Sequence, residues 1–195
     1  MIDEYHHPHW MTVESFLNHR HDMPEDGQWS ELHQGVVSHY PPPDLMHGNV
    51  ILNLSKSLAQ YFEKTRNGYA VFKIGLKTQT DPDSLYFPAV SIFLDGPLFE
   101  ETDSEFADYP PQLLIEVIST PELREQFSKR AEKLLSWGVK SIWGIDTLHK
   151  HALIMTGSQE EIIVPQNATL MDINLMPGLS IPVEHLYRDP TWWQS

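Results

Sequence analysis

PQLLIEVISTPELREQFSKRAEKLLSWGVKSIWGID, residues 111 to 146, carries the pattern on which the fold turns. LLIEVI is an apolar run of strand length, of the kind buried on both faces of a sheet. From Pro121 the period changes. At about 100° per residue, Leu123, Phe127, Arg130, Ala131 and Leu134 fall on one stripe, whereas Glu122, Glu125, Lys129 and Lys133 fall on the other side. Thr120 predicts the cap of this helix, Pro121 its first residue and Gly138 its exit. VKSIWGID then reads as the next strand.

Working towards the N-terminus, LYFPAVSIFL (85–94) reads as one strand, and so does FKIGLKTQT (72–80). In the latter Phe72, Ile74 and Leu76 alternate with Lys73, Gly75 and Lys77, which predicts a strand with a basic face. Between Asp44 and Arg66 the apolar residues Val50, Ile51, Leu54, Leu58, Tyr61 and Phe62 recur at helical steps, and Asn67-Gly68 supplies the stop. WSELHQGVVSHYPPP (29–43) predicts two short extended pieces around a turn at Gln34-Gly35, closed by prolines, with Glu31 on the first piece. Thr12 before VESFL predicts a capped short helix. Towards the C-terminus, HALIMTG and EEIIVP are strands at hairpin spacing. With no internal repeat, the order predicts an α/β (α+β) fold, a mixed central sheet flanked by helices.

The chain has 195 residues, 41% of them hydrophobic, which suits one domain over 12–195. Residues 1–11, with His6, His7 and His9, read as a flexible His-rich extension. Asp and Glu number 27 against 13 Lys and Arg, a formal charge of −14, which disfavours loose coating of nucleic acid or anionic membranes. The absence of cysteine excludes disulfides, zinc–thiolate sites and thiol nucleophiles. No apolar run approaches the ~20 residues that span a bilayer, so a cytoplasmic setting with no membrane partner is expected.

Glu116 is the chemically informative residue. In an apolar strand an unpartnered carboxylate loses several kcal/mol of hydration, so it needs a cation. A cation from the protein or a divalent metal shared with other acids would serve. Arg130 lies on the inward stripe one connection later, where it either meets Glu116 or covers the stripe with its methylenes and reaches the rim. His47, near the start of the first long helix, reads as a solvated or capping histidine or as a ligand. A glycosidase using Glu31 and Glu116 would need an aromatic sugar-binding floor, yet Trp137 and Trp143 read as core.

WSELHQGVV, PPP with His47 shortly after, FPAVSIF, PQLLIEVIS and KLLSWGVKSIWGID, in this order and spacing, resemble the Uma2 family, also called DUF820, a group of bacterial nuclease-like proteins. The resemblance runs from about Thr12 to Asp146 and more loosely to the end. It implies the PD-(D/E)XK, restriction endonuclease-like fold, with Mg²⁺- or Mn²⁺-dependent cleavage of DNA by a cytoplasmic homodimer. Glu31 and Glu116 then match the family's metal-binding glutamates, Ser119 follows the second of them, and Lys73 or Lys77 would stand near phosphate. The family's PD pair falls on Pro88 and Ala89, so a methyl group replaces the aspartate, and Arg130 replaces the helical lysine. The resemblance therefore implies an endonuclease with a degenerate site, or a non-catalytic dimerisation or partner-binding domain on the same fold. Pro82-Asp83 is a literal PD pair, but it lies in a turn six residues earlier, roughly 20 Å of extended chain away.

Overall fold

The structure is a computed structural model, and it describes residues 10–96, 105–157 and 160–190. His6, His7 and His9 of the expected extension lie outside the described residues. Met11, the last residue of that stretch, donates its N–H to Gly35 O at 3.0 Å. Among the described residues no helix is long and apolar enough to cross a membrane.

The chain begins with α1 (Val13–Asn18), where Thr12 Oγ1 accepts the Ser15 N–H as the sequence predicts. Strands β1 (Ser30–His33) and β2 (Val36–His39) form the hairpin around Gln34-Gly35. Helix α2 (Leu45–Thr65) is capped by Asp44 and ends at Arg66 with φ +55°. Then come β3 (Tyr69–Phe72), β4 (Gly75–Gln79), β5 (Ser84–Tyr86), β6 (Val90–Phe93), β7 (Phe106–Ala107) and β8 (Leu113–Ile118). Helix α3 (Pro121–Trp137) leads to β9 (Ser141–Asp146), β10 (His151–Thr156) and β11 (Ile162–Val164). A small pair, β12 (Thr169–Leu170) and β13 (Ile181–Pro182), and the short α4 (Val183–Leu186) complete the described chain.

The fold is mixed α/β with flanking helices, as expected, and its main strands divide into two mixed sheets. The larger has the order β11-β10-β9-β8-β6-β3, with β8 and β9 parallel across α3. The smaller has the order β2-β1-β5-β4-β7. Two sequence expectations are corrected here. FKIGLKTQT is not one strand, because Lys73 adopts φ +56°, a left-handed conformation that turns the chain from β3 in the large sheet into β4 in the small one. LYFPAVSIFL likewise splits, with β5 in the small sheet, β6 in the large one, and Phe87-Pro88-Ala89 crossing between them. The Lys73 N–H donates to Ala89 O at 3.3 Å and ties the two crossings together.

Alternation in β8 decides what each helix covers. Leu113, Ile115 and Val117 pack with Val50, Leu54, Leu58 and Tyr61 of α2. Leu114 and Ile118 pack with Phe127, Ala131 and Leu134 of α3. Glu116 lies between Leu114 and Ile118 in this alternation, so it belongs to the face that α3 covers. Its partner in register on β9 is Gly144, where a Cβ would lie 2.7 Å from the Phe127 ring. That missing side chain lets α3 settle against the sheet. A third cluster, Val13, Phe16, Leu32, Leu85 and Phe87, packs α1 on the small sheet. Leu32 belongs to this cluster, so its neighbour Glu31 projects from the opposite face of β1, towards the junction of the sheets.

Candidate active site

Glu31 and Glu116 arrive from different sheets and are joined by one side chain. Arg130 donates from Nε to Glu116 Oε1 at 2.8 Å and from Nη2 to Glu31 Oε1 at 2.7 Å, while Nη1 donates to Glu31 Oε2. The pairing with Glu31 is bidentate, the geometry a planar guanidinium fork favours. Glu31 is buried and its partners are mostly so, with side-chain exposure of 6% for Glu31, 15% for Glu116 and 16% for Arg130. Of the two positions open to Arg130 on its stripe, the structure shows the inward one.

Further partners complete the Glu31 carboxylate. The Phe87 N–H, just beyond β5, donates to Oε1 at 2.7 Å, and His33 Nε2 lies 3.2 Å from Oε2. Burial by itself raises the pKa of Glu31, but Arg130, His33 and the Phe87 N–H outweigh it and hold the carboxyl well below the usual carboxylate range. For Arg130, burial opposes the charge, while Glu116 and Glu31 more than restore it. The guanidinium also lies 4.8 Å over the Tyr86 ring. Burial, followed by the charge of Glu31, pushes the Tyr40 phenol above its ordinary range, and its hydroxyl meets His33 Nε2 at 3.1 Å.

A cavity of about 90 Å³ opens beside this cluster, and Glu31, Glu116, Arg130, Ala89, Lys73 and Ser119 all line it. The turn at Lys73 brings its Nζ 4.6 Å over the Trp29 ring and 3.5 Å from Phe87 O. Desolvation lowers the pKa of this ammonium, opposed by Glu31 and Glu116. Lys77 does not reach the cavity. It belongs to β4 in the small sheet, with Nζ 3.8 Å from Asp83 and 6.0 Å over Phe106. The pairing of Lys73 with Lys77 on one basic face fails because the strand assumed to carry both is broken at Lys73. Asp83 of the literal PD pair accepts the Val13 N–H at 2.7 Å, outside the cavity lining.

The residues present do not suit a divalent cation. Mg²⁺ asks for near-octahedral oxygen ligation, whereas both oxygens of Glu31 and one of Glu116 already accept from Arg130. Ala89 offers only a methyl group, and it is 6% exposed. Among the described residues no group of three or more His, Asp or Glu could hold a metal ion. The other fully buried acid, Asp146, accepts the Leu148 and His149 N–H groups and so stabilises the turn after β9.

His33, Tyr40 and Tyr86 were missed at the sequence level. His33 was accessible, since it shares a face of β1 with Glu31 by alternation. Tyr86 and Tyr40 reach the cluster only through the docking of the small sheet, which leaves no local signal.

The profile of the Uma2 family, described as "Putative restriction endonuclease", matches residues 17–184. The fold is similar to a crystal structure described as "a putative nuclease belonging to DUF820" from Anabaena variabilis ATCC 29413, with a TM-score of 0.73. Sequence identity to it is 19%, over 91% of this chain and 97% of that one. No curated protein matches the chain.

Proposed function

The chain belongs to the Uma2 family, and we propose that it is a non-hydrolytic member, in which the Arg130 guanidinium stands where the family's divalent cation would sit. One observation carries this reading: a single buried guanidinium satisfies Glu31 and Glu116 together. Two buried carboxylates without a cation would repel each other and lose their hydration. Arg130 removes that need without any ligand from outside the chain. Arginine also cannot serve as a base near neutral pH, because it does not release its proton.

On this reading the domain acts by binding, as a cytoplasmic homodimer that engages DNA or another partner without cutting it. The competing reading is a Mg²⁺- or Mn²⁺-dependent endonuclease that uses Glu31 and Glu116 once Arg130 is displaced, with Lys73 and Ser119 near the substrate phosphate. Lys73 and Ser119 line the same cavity as Glu116, which is the feature in its favour.

Nicking of supercoiled plasmid in Mg²⁺ and in Mn²⁺ separates the two. The proposal expects no turnover above that of the Glu116→Gln variant in either ion. Robust wild-type nicking abolished by Glu116→Gln would overturn it.

A further inference from the structure

Among the described residues β3 is the last strand of the large sheet, and its outer edge is unguarded. Edge strands usually carry charges, prolines or bulges that prevent pairing with another chain. The opposite edge follows this rule, since β11 lies between Glu160-Glu161 and Pro165. Tyr69-Ala70-Val71-Phe72 has no charge and no proline, and it pairs with β6 without a bulge.

Two backbone bonds fix which groups of β3 point outwards. The Lys73 N–H donates to Ala89 O, and the Gln112 N–H donates to Ile92 O. Along β6, Ala89 and Ser91 therefore face β3, while Ile92 faces β8. The same alternation turns Tyr69 and Val71 towards β6 and leaves the N–H and C=O of Ala70 and Phe72 on the open edge.

This edge also holds a knob and a hole. Ala70 packs on the α2 side of the sheet and Val71 on the α3 side, so Phe72 shares the α2 side with Ala70. Phe72 is 40% exposed. Beside it Ser55, Ala59 and Phe62 of α2 and Ala70 of β3 line a groove of about 400 Å³, roomier than the ~150 Å³ cavity that admits benzene.

We propose that β3 is a homodimer interface, in which two copies of the chain pair this strand antiparallel about a twofold axis at Val71 and each copy's Phe72 fills the other's groove over Ala70. In this register Ala70 stands opposite the partner's Phe72, and the outward groups of both residues make four N–H···O bonds across the axis. Opposed residues share a face, which sets the partner's Phe72 on the α2 side, where the groove lies. An axis at Ala70 would instead oppose Phe72 to Gly68, whose φ of +89° takes it out of the strand. Charge selects a second copy over an acidic or a basic partner. The groove rim carries one acid and one base, Glu63 and Arg66, so two copies meet there without the repulsion that a net charge of −14 imposes elsewhere. The patch is smaller than the roughly 20–30 residues a side of a standard interface, which predicts a dimer that dissociates on dilution. The inference rests on the homodimer of the proposed function and supplies its interface.

Sedimentation velocity over a dilution series tests it. Wild-type protein should pass from dimer to monomer on dilution. Phe72→Glu and Ala59→Glu, both at exposed positions, should each weaken association at least about tenfold, the effect of losing one interface anchor. Ile163→Glu, on the exposed opposite edge, should leave association unchanged. The chain has no cysteine, so Val71→Cys introduces a single thiol, and the axis would bring two such thiols together at a Cα separation of ~4.5 Å, within disulfide range. A disulfide-linked dimer should form in Val71→Cys and not in Ile163→Cys. Undiminished association of Phe72→Glu, or a Val71→Cys protein that stays unlinked, would overturn this interface and leave the homodimer standing. A wild type that is monomeric at every concentration would strike both, so the two failures are distinguishable.

Discussion

Arg130 and Glu116 lie 14 positions apart and meet at 2.8 Å across the connection from β8 to α3. The contact follows from two periodicities. Glu116 occupies the α3-facing register of β8, and Arg130 immediately precedes Ala131 on the stripe that α3 buries. The same guanidinium reaches Glu31 in the other sheet, so one side chain locks the junction of the two sheets.

Removing that lock strands two buried carboxylates. Arg130→Ala should destabilise the fold by about 3–5 kcal/mol, the cost of breaking a buried ion pair from one side. Arg130→Lys should recover part of this but lose the bidentate geometry. Chemical denaturation of the three proteins measures the order, and a midpoint for Arg130→Ala equal to wild type would contradict the buried pairing.

Acid should weaken the fold through Glu31. Its pKa is depressed in the folded state, so its contribution is present above the unfolded carboxylate value of about 4.3 and is lost as pH falls towards the lower folded value. The stability gap between wild type and Glu31→Gln should therefore be constant from neutral pH down to about 5. Below that it should shrink steadily. A gap that stays constant through strong acid would mean that Glu31 is not held by Arg130.

The seating of α3 depends on Gly144. A Cβ there would lie 2.7 Å from the Phe127 ring and 2.9 Å from Ile118 Cδ1. Gly144→Ala should cost about 1–3 kcal/mol through overpacking, read from the thermal midpoint. An unchanged midpoint would show that Phe127 is not confined against β9.

Ala89→Asp combined with Arg130→Lys should create Mn²⁺ affinity that neither wild type nor Glu116→Gln shows. The aspartate would add an oxygen ligand in the cavity that Glu116 lines, and a lysine cannot hold both glutamates through a fork. A double variant that binds no more Mn²⁺ than wild type would mean that Ala89 does not stand at the lost ligand position.

Legibility in the sequence followed the range of each interaction. The strand LLIEVI, helix α2, and helix α3 with its caps Thr120 and Gly138 were readable, because burial and helical period are local signals. Glu116 and Arg130 stood out as charges in apolar settings. Glu31 was singled out by resemblance, since SELH by itself does not reveal what lies opposite. The alternation of FKIGLKTQT runs on through the turn at Lys73, and Gly75, which opens β4, was its one local hint of a break. Pro88 was a visible break within LYFPAVSIFL, for proline cannot donate to a strand ladder. The division into two sheets, and with it the placing of Lys73 apart from Lys77, arises from long-range docking.

The central claim is that a guanidinium occupies the cation position between Glu31 and Glu116. Calorimetric titration of the wild-type protein with Mn²⁺, alongside Glu116→Gln, tests it most directly. With the guanidinium in that position, no binding heat beyond that of the variant is expected at millimolar metal. Saturable wild-type binding that disappears in Glu116→Gln would contradict it.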